Sequence, residues 1–456
     1  MIDSAIPDAT GATAAAGVFA GALSGDLSEE RIAELSEQQL VDLITACEDA
    51  KCRLEAAQAT AAVALDTATR TRHREQGVPA RRIGEGVAAQ IGLARRISPH
   101  KASRLLGLAT ILTREMPATL ALMRAGRLSE WRATILARET ACLDLEHRRR
   151  VDLELAGTGR AAELGDRELE ATAKKLAYTL DAHAVVARAA RAETERSVTI
   201  RPAPDLMSYV TALLPMKQGV AVYAALKAVA DTASATGHTG GAGDDRSRGQ
   251  VMADTLVERV TGRAAGAPAR IDLRLVMTDR ALLAPDGPGG DAPALVPGYG
   301  PVPAEWARTA VTRALTDTLT EAQVFLKRLF THPLSGQLVA MDSRSRTAPA
   351  GLAEFITLRD GGICRNPHCG APIRHLDHIQ RYADGGPTSA ANLQGLCERC
   401  NQAKEAPGWQ ARPGPDGSIT ITTATGHTYR SRPPDPWPTT RPLVNLVLAN
   451  DYALTA

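Results

Sequence analysis

Four cysteines near the C-terminal end, an Asp-His pair and two asparagines are the residues of this chain whose types and spacing could do chemistry. The segment reads CRNPHCGAPIRHLDHIQRYADGGPTSAANLQGLCERCNQAK. Cys364 and Cys369 form a CxxxxC pair and Cys397 and Cys400 a CxxC pair, with 27 residues between the two pairs. Two thiolate pairs joined by a loop are the ligand set of a tetrahedral structural Zn²⁺, and four buried reduced thiols are the poorer account of that spacing. So polar a loop has little core of its own, which makes the metal a source of folding energy. Between the pairs lie His375, Asp377, His378 and Asn392, and Asn401 follows Cys400 directly. A carboxylate beside an imidazole offers what a hydrolytic metal site needs: a hard oxygen ligand and a base that titrates near neutrality.

On these residues the segment 364–404 resembles the HNH endonuclease module. The resemblance implies a ββα-metal fold that presents the Asp-His pair at the end of a strand. It implies His378 as general base and Asp377 as acidic ligand of a catalytic divalent ion. Asn392 would brace the loop, and Asn401 would complete the metal site from the following helix. Gly385-Gly386-Pro387-Thr388 corresponds to the family's glycine turn, and Lys404 follows as it often does there. Many members carry His where this chain has Asn401. An amide oxygen is a hard, neutral ligand, which suits Mg²⁺ or Mn²⁺ better than zinc or nickel. The implied reaction is metal-dependent hydrolysis of DNA phosphodiester bonds, leaving 5′-phosphate and 3′-hydroxyl ends. Arg374, Arg381, Arg399 and Lys404 flank the motif as candidate phosphate contacts, against the plainer reading of solvated surface charges. His375 shares a strand face with Asp377 and is either an extra or supporting metal ligand or a histidine bonded to the backbone. A function of another class stays open: a catalytically inert, zinc-stabilised nucleic-acid-binding protein.

The site needs elements to position it. A chain of 456 residues implies two or three domains. Ser36 and Gln39 form a capping box before an apolar-periodic run that predicts a helix to about Arg74, its second half built of small residues suited to close packing. Further helices are expected near 84–96, 100–113, 116–125, 129–141 and 165–179. The stretch RRISPHKASRLL has the break of a helix-turn-helix, with Arg95, Arg96, Lys101 and Arg104 facing phosphates; an ordinary helical hairpin is the plainer reading. The run 147–150 reads as a solvated face. From Ser197 the periodicity shifts to a hairpin, helices at 216–232 and 247–261 around a flexible loop at 236–247, and a strand in IDLRLVMTD. Residues 284–303 read as a surface loop, VFLKRLF and QLVAMDS as a hairpin, 350–360 as a helix, and WQARPGPDGSITITTATGHTYRS as short strands. Trp409 is expected to pack on the zinc lobe. The pieces LPMKQG, QGVAVYAAL, MADTLVERVTG, GYGPVPA and AMDSRSR resemble an uncharacterised, mostly helical domain often found ahead of HNH modules in GC-rich bacteria.

The fold class expected is mainly α with α+β parts. The divisions are a disordered tail at 1–35, a helical domain at 36–190, an α+β domain at 196–345, the HNH module at 346–412, and a β-hairpin and tail at 413–456. A hydrophobic fraction of 44% and a charged fraction of 23% are those of a soluble globular protein. The net charge of +2 gives no global field for nucleic acid, so DNA must be held by a local patch. Of seven cysteines, Cys47, Cys52 and Cys142 lie in helical sequence as reduced apolar fillers. The first basic residue is Arg31, so a secretory n-region is missing; no segment spans a bilayer, and a cytoplasmic setting is the consequence. No heptad seam compels a homodimer, although one would suit double-strand cutting.

Overall fold

The computed structural model describes residues 28–235, 246–264, 275–316 and 346–434. The described chain is mainly helical with small two- and three-stranded sheets. It divides into two compact units, one ending at Ala189 and the other beginning at Ala190.

The described residues of the first unit are all helical in their regular structure. A short helix, Glu29–Ala33, is capped by Ser28 within the stretch expected to be disordered. Helix α1 (Glu37–Glu75) opens on the expected capping box between Ser36 and Gln39. The face it buries is the small one, Cys52, Ala56 and Ala59, while Ile44 and Leu54 of the expected stripe are exposed. Small side chains let α1 approach its neighbours closely. Those are α2 (Val87–Arg95), α3 (Pro99–Arg114) and α4 (Pro117–Arg124). Helices α5 (Glu130–Glu139), α6 (Leu145–Asp152) and α7 (Asp166–Leu180) complete a core around Leu112, Met116, Met123, Leu136, Leu155 and Leu169. Each such side chain contributes about 1.5–3 kcal/mol by leaving water. Met116 cannot cap α4, and a buried carboxylate does so instead. Asp152 accepts from the amides of Ala118 and Thr119, each at 2.8 Å, and from the Thr119 hydroxyl at 2.6 Å.

The α2–α3 break sits where the sequence places it, with Ser98 capping α3 and Pro99 at its first turn. Its charges are arranged otherwise. Arg95 forms a two-pronged bond to Glu130 at 3.0 and 3.2 Å, so it turns inward, whereas Arg96, Lys101 and Arg104 are exposed. The run 147–150 is not uniformly solvated either: Arg148 is buried, paired with Glu115 and donating to the Thr140 carbonyl.

The second unit opens with the expected hairpin, β1 (Ser197–Pro202) on β2 (Ser208–Leu213). Helices α8 (Met216–Ala235) and α9 (Arg248–Thr261) follow and pack on each other. Most of the loop at 236–247, the start of IDLRLVMTD, the VFLKRLF/QLVAMDS hairpin, the N-terminal tail through residue 27 and the chain beyond 434 lie outside the described residues. Two features were not expected. Within the supposed loop at 284–303, β3 (Ala294–Val296) pairs with β4 (Gly300–Val302) around Gly298 and Gly300, whose φ of 82° and 126° other residues rarely adopt. Val276, from the predicted strand, bridges to Leu295. Immediately afterwards comes α10 (Ala304–Thr316).

The C-terminal part begins with α11 (Ala350–Arg359) and continues through β5 (His375–His378), β6 (Leu393–Leu396) and α12 (Glu398–Lys404). It ends in a three-stranded meander, β7 (Gln410–Pro413), β8 (Ile419–Thr422) and β9 (Thr428–Ser431). Leu352, Phe355, Ile356, Ala390 and Leu393 form its apolar core. Trp409 is buried where the chain leaves α12 for β7.

Candidate active site and zinc centre

Strands β5 and β6 run antiparallel, with Asp377 opposite Gln394 and His378 opposite Leu393. Helix α12 follows β6 through Cys397, so two strands and a helix form a ββα unit around the Asp-His pair. The loop between the strands is held by Asn392. Its Oδ1 accepts from the Gln380 amide at 2.9 Å, and its Nδ2 donates to the carbonyls of Gln380 and Pro387 at 3.0 and 2.9 Å. An amide side chain that satisfies two strands of a turn this way is a brace. Gly386 completes the turn because a Cβ there would lie 2.1 Å from the Gln380 carbonyl oxygen.

His378 points its Nε2 at the buried hydroxyl of Thr388, 2.9 Å away, and the Tyr382 ring meets its edge at 5.5 Å between centroids. Burial lowers its pKa below the ordinary imidazole value; Asp377 opposes that shift and Lys404 adds to it. Asp377 is mostly buried, and that burial raises its pKa against the pull of Lys404 and Gln394. Gln394 Nε2 donates to Asp377 Oδ2 at 3.0 Å, and Lys404 Nζ lies 2.9 Å from Oδ1 and 2.7 Å from Oδ2. Lys404 also donates to the His378 carbonyl. Among the residues expected at phosphates, Lys404 is therefore buried against the motif. Arg381 pairs with Glu405 at 3.0 Å on the surface, and Arg374 and Arg399 are exposed. Asn401 is half-buried one turn before Lys404, on the same face of α12. His375 is exposed at the start of β5.

The four cysteines converge. The Sγ atoms of Cys364, Cys369, Cys397 and Cys400 all lie within 4.8 Å of one another. Cys369 Sγ is 3.6 Å from those of Cys397 and Cys400, against about 3.8 Å for two ligands at 2.3 Å from a tetrahedral zinc. Hydrogen bonds from Cys364 and then Cys400 hold the Cys369 thiol far below its ordinary value, and Cys369 in turn pushes Cys364 up to about 12. The donor set fits Zn²⁺ in number, softness and spacing. The carboxylate of Asp377 and the amide oxygen of Asn401 are each hard donors of the kind Mg²⁺ and Mn²⁺ take.

Sequence reasoning missed Thr388 as the partner of His378, Gln394 as the partner of Asp377, and a buried hub on Asp360. Asp360 accepts from Arg359 at 2.8 Å, Arg365 at 2.9 Å and the Gly395 amide at 2.8 Å. The strand register carries the Gln394 pairing, and no residue spacing discloses a register across so long a loop.

Two family models match the chain. One, described as Domain of unknown function (DUF222), covers residues 46–360; the other, described as HNH endonuclease, covers 363–406. Among curated proteins, the uncharacterised protein Rv3776 of Mycobacterium tuberculosis strain H37Rv is 35% identical over 190 residues, 40% of this chain and 33% of that protein. The uncharacterised protein Rv2100 of the same strain is 33% identical over 154 residues, 33% of this chain and 25% of its own length. The chain thus spans a quarter to a third of the length of these relatives. No solved structure matches.

Proposed function

The chain belongs to the DUF222 family and carries an HNH endonuclease domain behind it, and from that premise we propose that it is a metal-dependent DNA endonuclease with His378 as its general base. The observation that carries the reading is the Nε2–Thr388 bond at 2.9 Å. With Nε2–H donating to that hydroxyl, Nδ1 keeps its lone pair for a water proton. Burial lowers the His378 pKa below the ordinary imidazole value, which favours the neutral ring that a base requires. His378 at Nδ1 takes the proton as water attacks the phosphorus in line, and the bond to the 3′-oxygen breaks; that oxygen takes a proton from solvent, leaving 5′-phosphate and 3′-hydroxyl ends. Asn392 keeps the loop and hence His378 in place. Asp377 and Asn401 would hold one Mg²⁺ or Mn²⁺. That ion, when bound, supplies charge stabilisation at the phosphate and the leaving oxygen. The four cysteines would hold a structural Zn²⁺. Arg374 and Arg399, exposed beside the motif, are proposed phosphate contacts.

The proposed setting is the cytoplasm; among the described residues no single helix is long and apolar enough to cross a membrane. A homodimer would bring two such centres to one duplex. A second reading, a catalytically inert zinc-stabilised nucleic-acid-binding protein, draws on the engagement of Asp377 by Lys404. Supercoiled plasmid incubated with the protein and Mg²⁺ or Mn²⁺ separates the two. The nuclease reading expects nicking that His378→Ala lowers by roughly 10²-fold or more with zinc content unchanged. Plasmid shifted but uncut by parent and variant alike would replace it with the binding reading.

A further inference from the structure

Asp377 is the acidic ligand in the function proposed above, yet its carboxylate already carries a cation. Lys404 is nearly buried, with 9% of its side chain exposed, and its Nζ lies 2.9 and 2.7 Å from the two Asp377 oxygens. Gln394 takes a further position on Oδ2 at 3.0 Å. A carboxylate offers about four lone-pair sites, so these contacts leave little of it open. Any divalent ion that bound either oxygen would sit against the ammonium, and two cations in so dry a space repel strongly. The ammonium has somewhere else to go. Glu405, the next residue, already lies 3.4 Å from Lys404 Nζ at the surface, where it also meets Arg381.

We propose that Lys404 is the resident counter-ion of Asp377, which a divalent metal must displace toward Glu405, so that this lysine sets the metal affinity of the centre. The inference rests on the reading of Asp377 as a metal ligand. Lys404 then acts as a positioning residue: without metal it ties the end of α12 to β5 through Asp377 and the His378 carbonyl. On metal binding it yields the carboxylate.

The test is Mn²⁺ binding to the zinc-loaded full chain, read from the electron paramagnetic resonance signal of free Mn²⁺. Lys404→Met keeps the aliphatic stem and removes the charge, and it should bind Mn²⁺ roughly tenfold or more tightly than the parent. Lys404→Arg retains a cation and should gain nothing. Asp377→Asn should lose the site. If Asp377→Asn loses Mn²⁺ while Lys404→Met binds no more tightly than the parent, Lys404 is not the competitor and the proposal fails alone. If Asp377→Asn binds Mn²⁺ as the parent does, the ion sits elsewhere and the ligand assignment fails first. Lys404→Met could unfold the lobe, so a second measurement uses the parent only. Acylation of Lys404, followed by mass spectrometry, should run several-fold faster with saturating Mn²⁺ than without. An unchanged rate would overturn the displacement.

Discussion

His378 has two ring nitrogens, and the partner of one decides what the other can do. Thr388 meets Nε2, which in the proposed mechanism leaves Nδ1 to take the water proton. Replacing Thr388 with Val keeps the bulk and removes the anchor, and the ring is then free to turn or change tautomer. The expected result is a fall in kcat of roughly 10–100-fold with KM nearly unchanged, since the hydroxyl touches the base and not the substrate. Steady-state cleavage of a short labelled duplex measures both constants, and a change confined to KM would refute the role. The pH profile is argued from the same ring. A base works when unprotonated, and burial lowers the His378 pKa, so activity should hold as pH falls to the ordinary imidazole value of about 6.5 and drop only below it. An acid limb at or above that value would contradict a desolvated base. Asp377, His378 and Asn392 were legible in the sequence because their types and order survive without a fold. Thr388 stood in the glycine turn with no sign of its partner, since the ring reaches it only once the turn folds back over β5.

At the scale of elements, β5, β6 and α12 have four, four and seven residues. Elements this short are not stable alone. The thiol cluster lies at the far end of the same strands, where Leu396 packs with Cys364, Cys397 and Cys400. Zinc held by these thiols would therefore fix the strand pair that presents the Asp-His motif. Stripping it with a strong chelator should abolish the thermal transition of the C-terminal part while leaving the helical unit folded, and added Zn²⁺ should restore it. Because ligating thiols must lose protons, less chelator should suffice at pH 6 than at pH 8. Circular dichroism with a colorimetric zinc indicator follows both, and an unaltered transition in zinc-free protein would remove the structural role. The long helices were readable because their caps are local, as at Ser36, Ser98 and Ser247. Strands β3 and β4 were not: three residues each carry no period, and their turn glycines lie in a Pro- and Gly-rich stretch that reads as loop. Helix α10 follows directly on that stretch and was missed with it, although Ala307, Ala310, Val311 and Ala314 recur at helical spacing.

Across the C-terminal part as a whole, the buried ion group on Asp360 joins pieces that the two family matches divide. Asp360 ends the first match, and Arg365 and Gly395 lie within the second. Arg365, itself buried, donates to the Gly417 carbonyl at 3.1 Å and lies 3.4 Å from the Ser431 hydroxyl, reaching the meander of β7–β9. Arg359 at the end of α11 donates to the carbonyls of Ala390 and Leu393. One carboxylate thus links α11, β6 and the meander around the motif. The cooperative unit should extend from α11 to β9, wider than the 363–406 match. Asp360→Asn removes the countercharge of Arg365 and sets amide hydrogens against donors, a change worth roughly 3–5 kcal/mol at a buried pair. It should lower the melting temperature of this part by roughly 10 °C or more. A fragment spanning 346–434 should fold with zinc, whereas one limited to 363–406 should bind zinc without a cooperative transition. Equal melting of the two fragments, or an Asp360→Asn variant as stable as the parent, would show that the motif is held by its zinc alone.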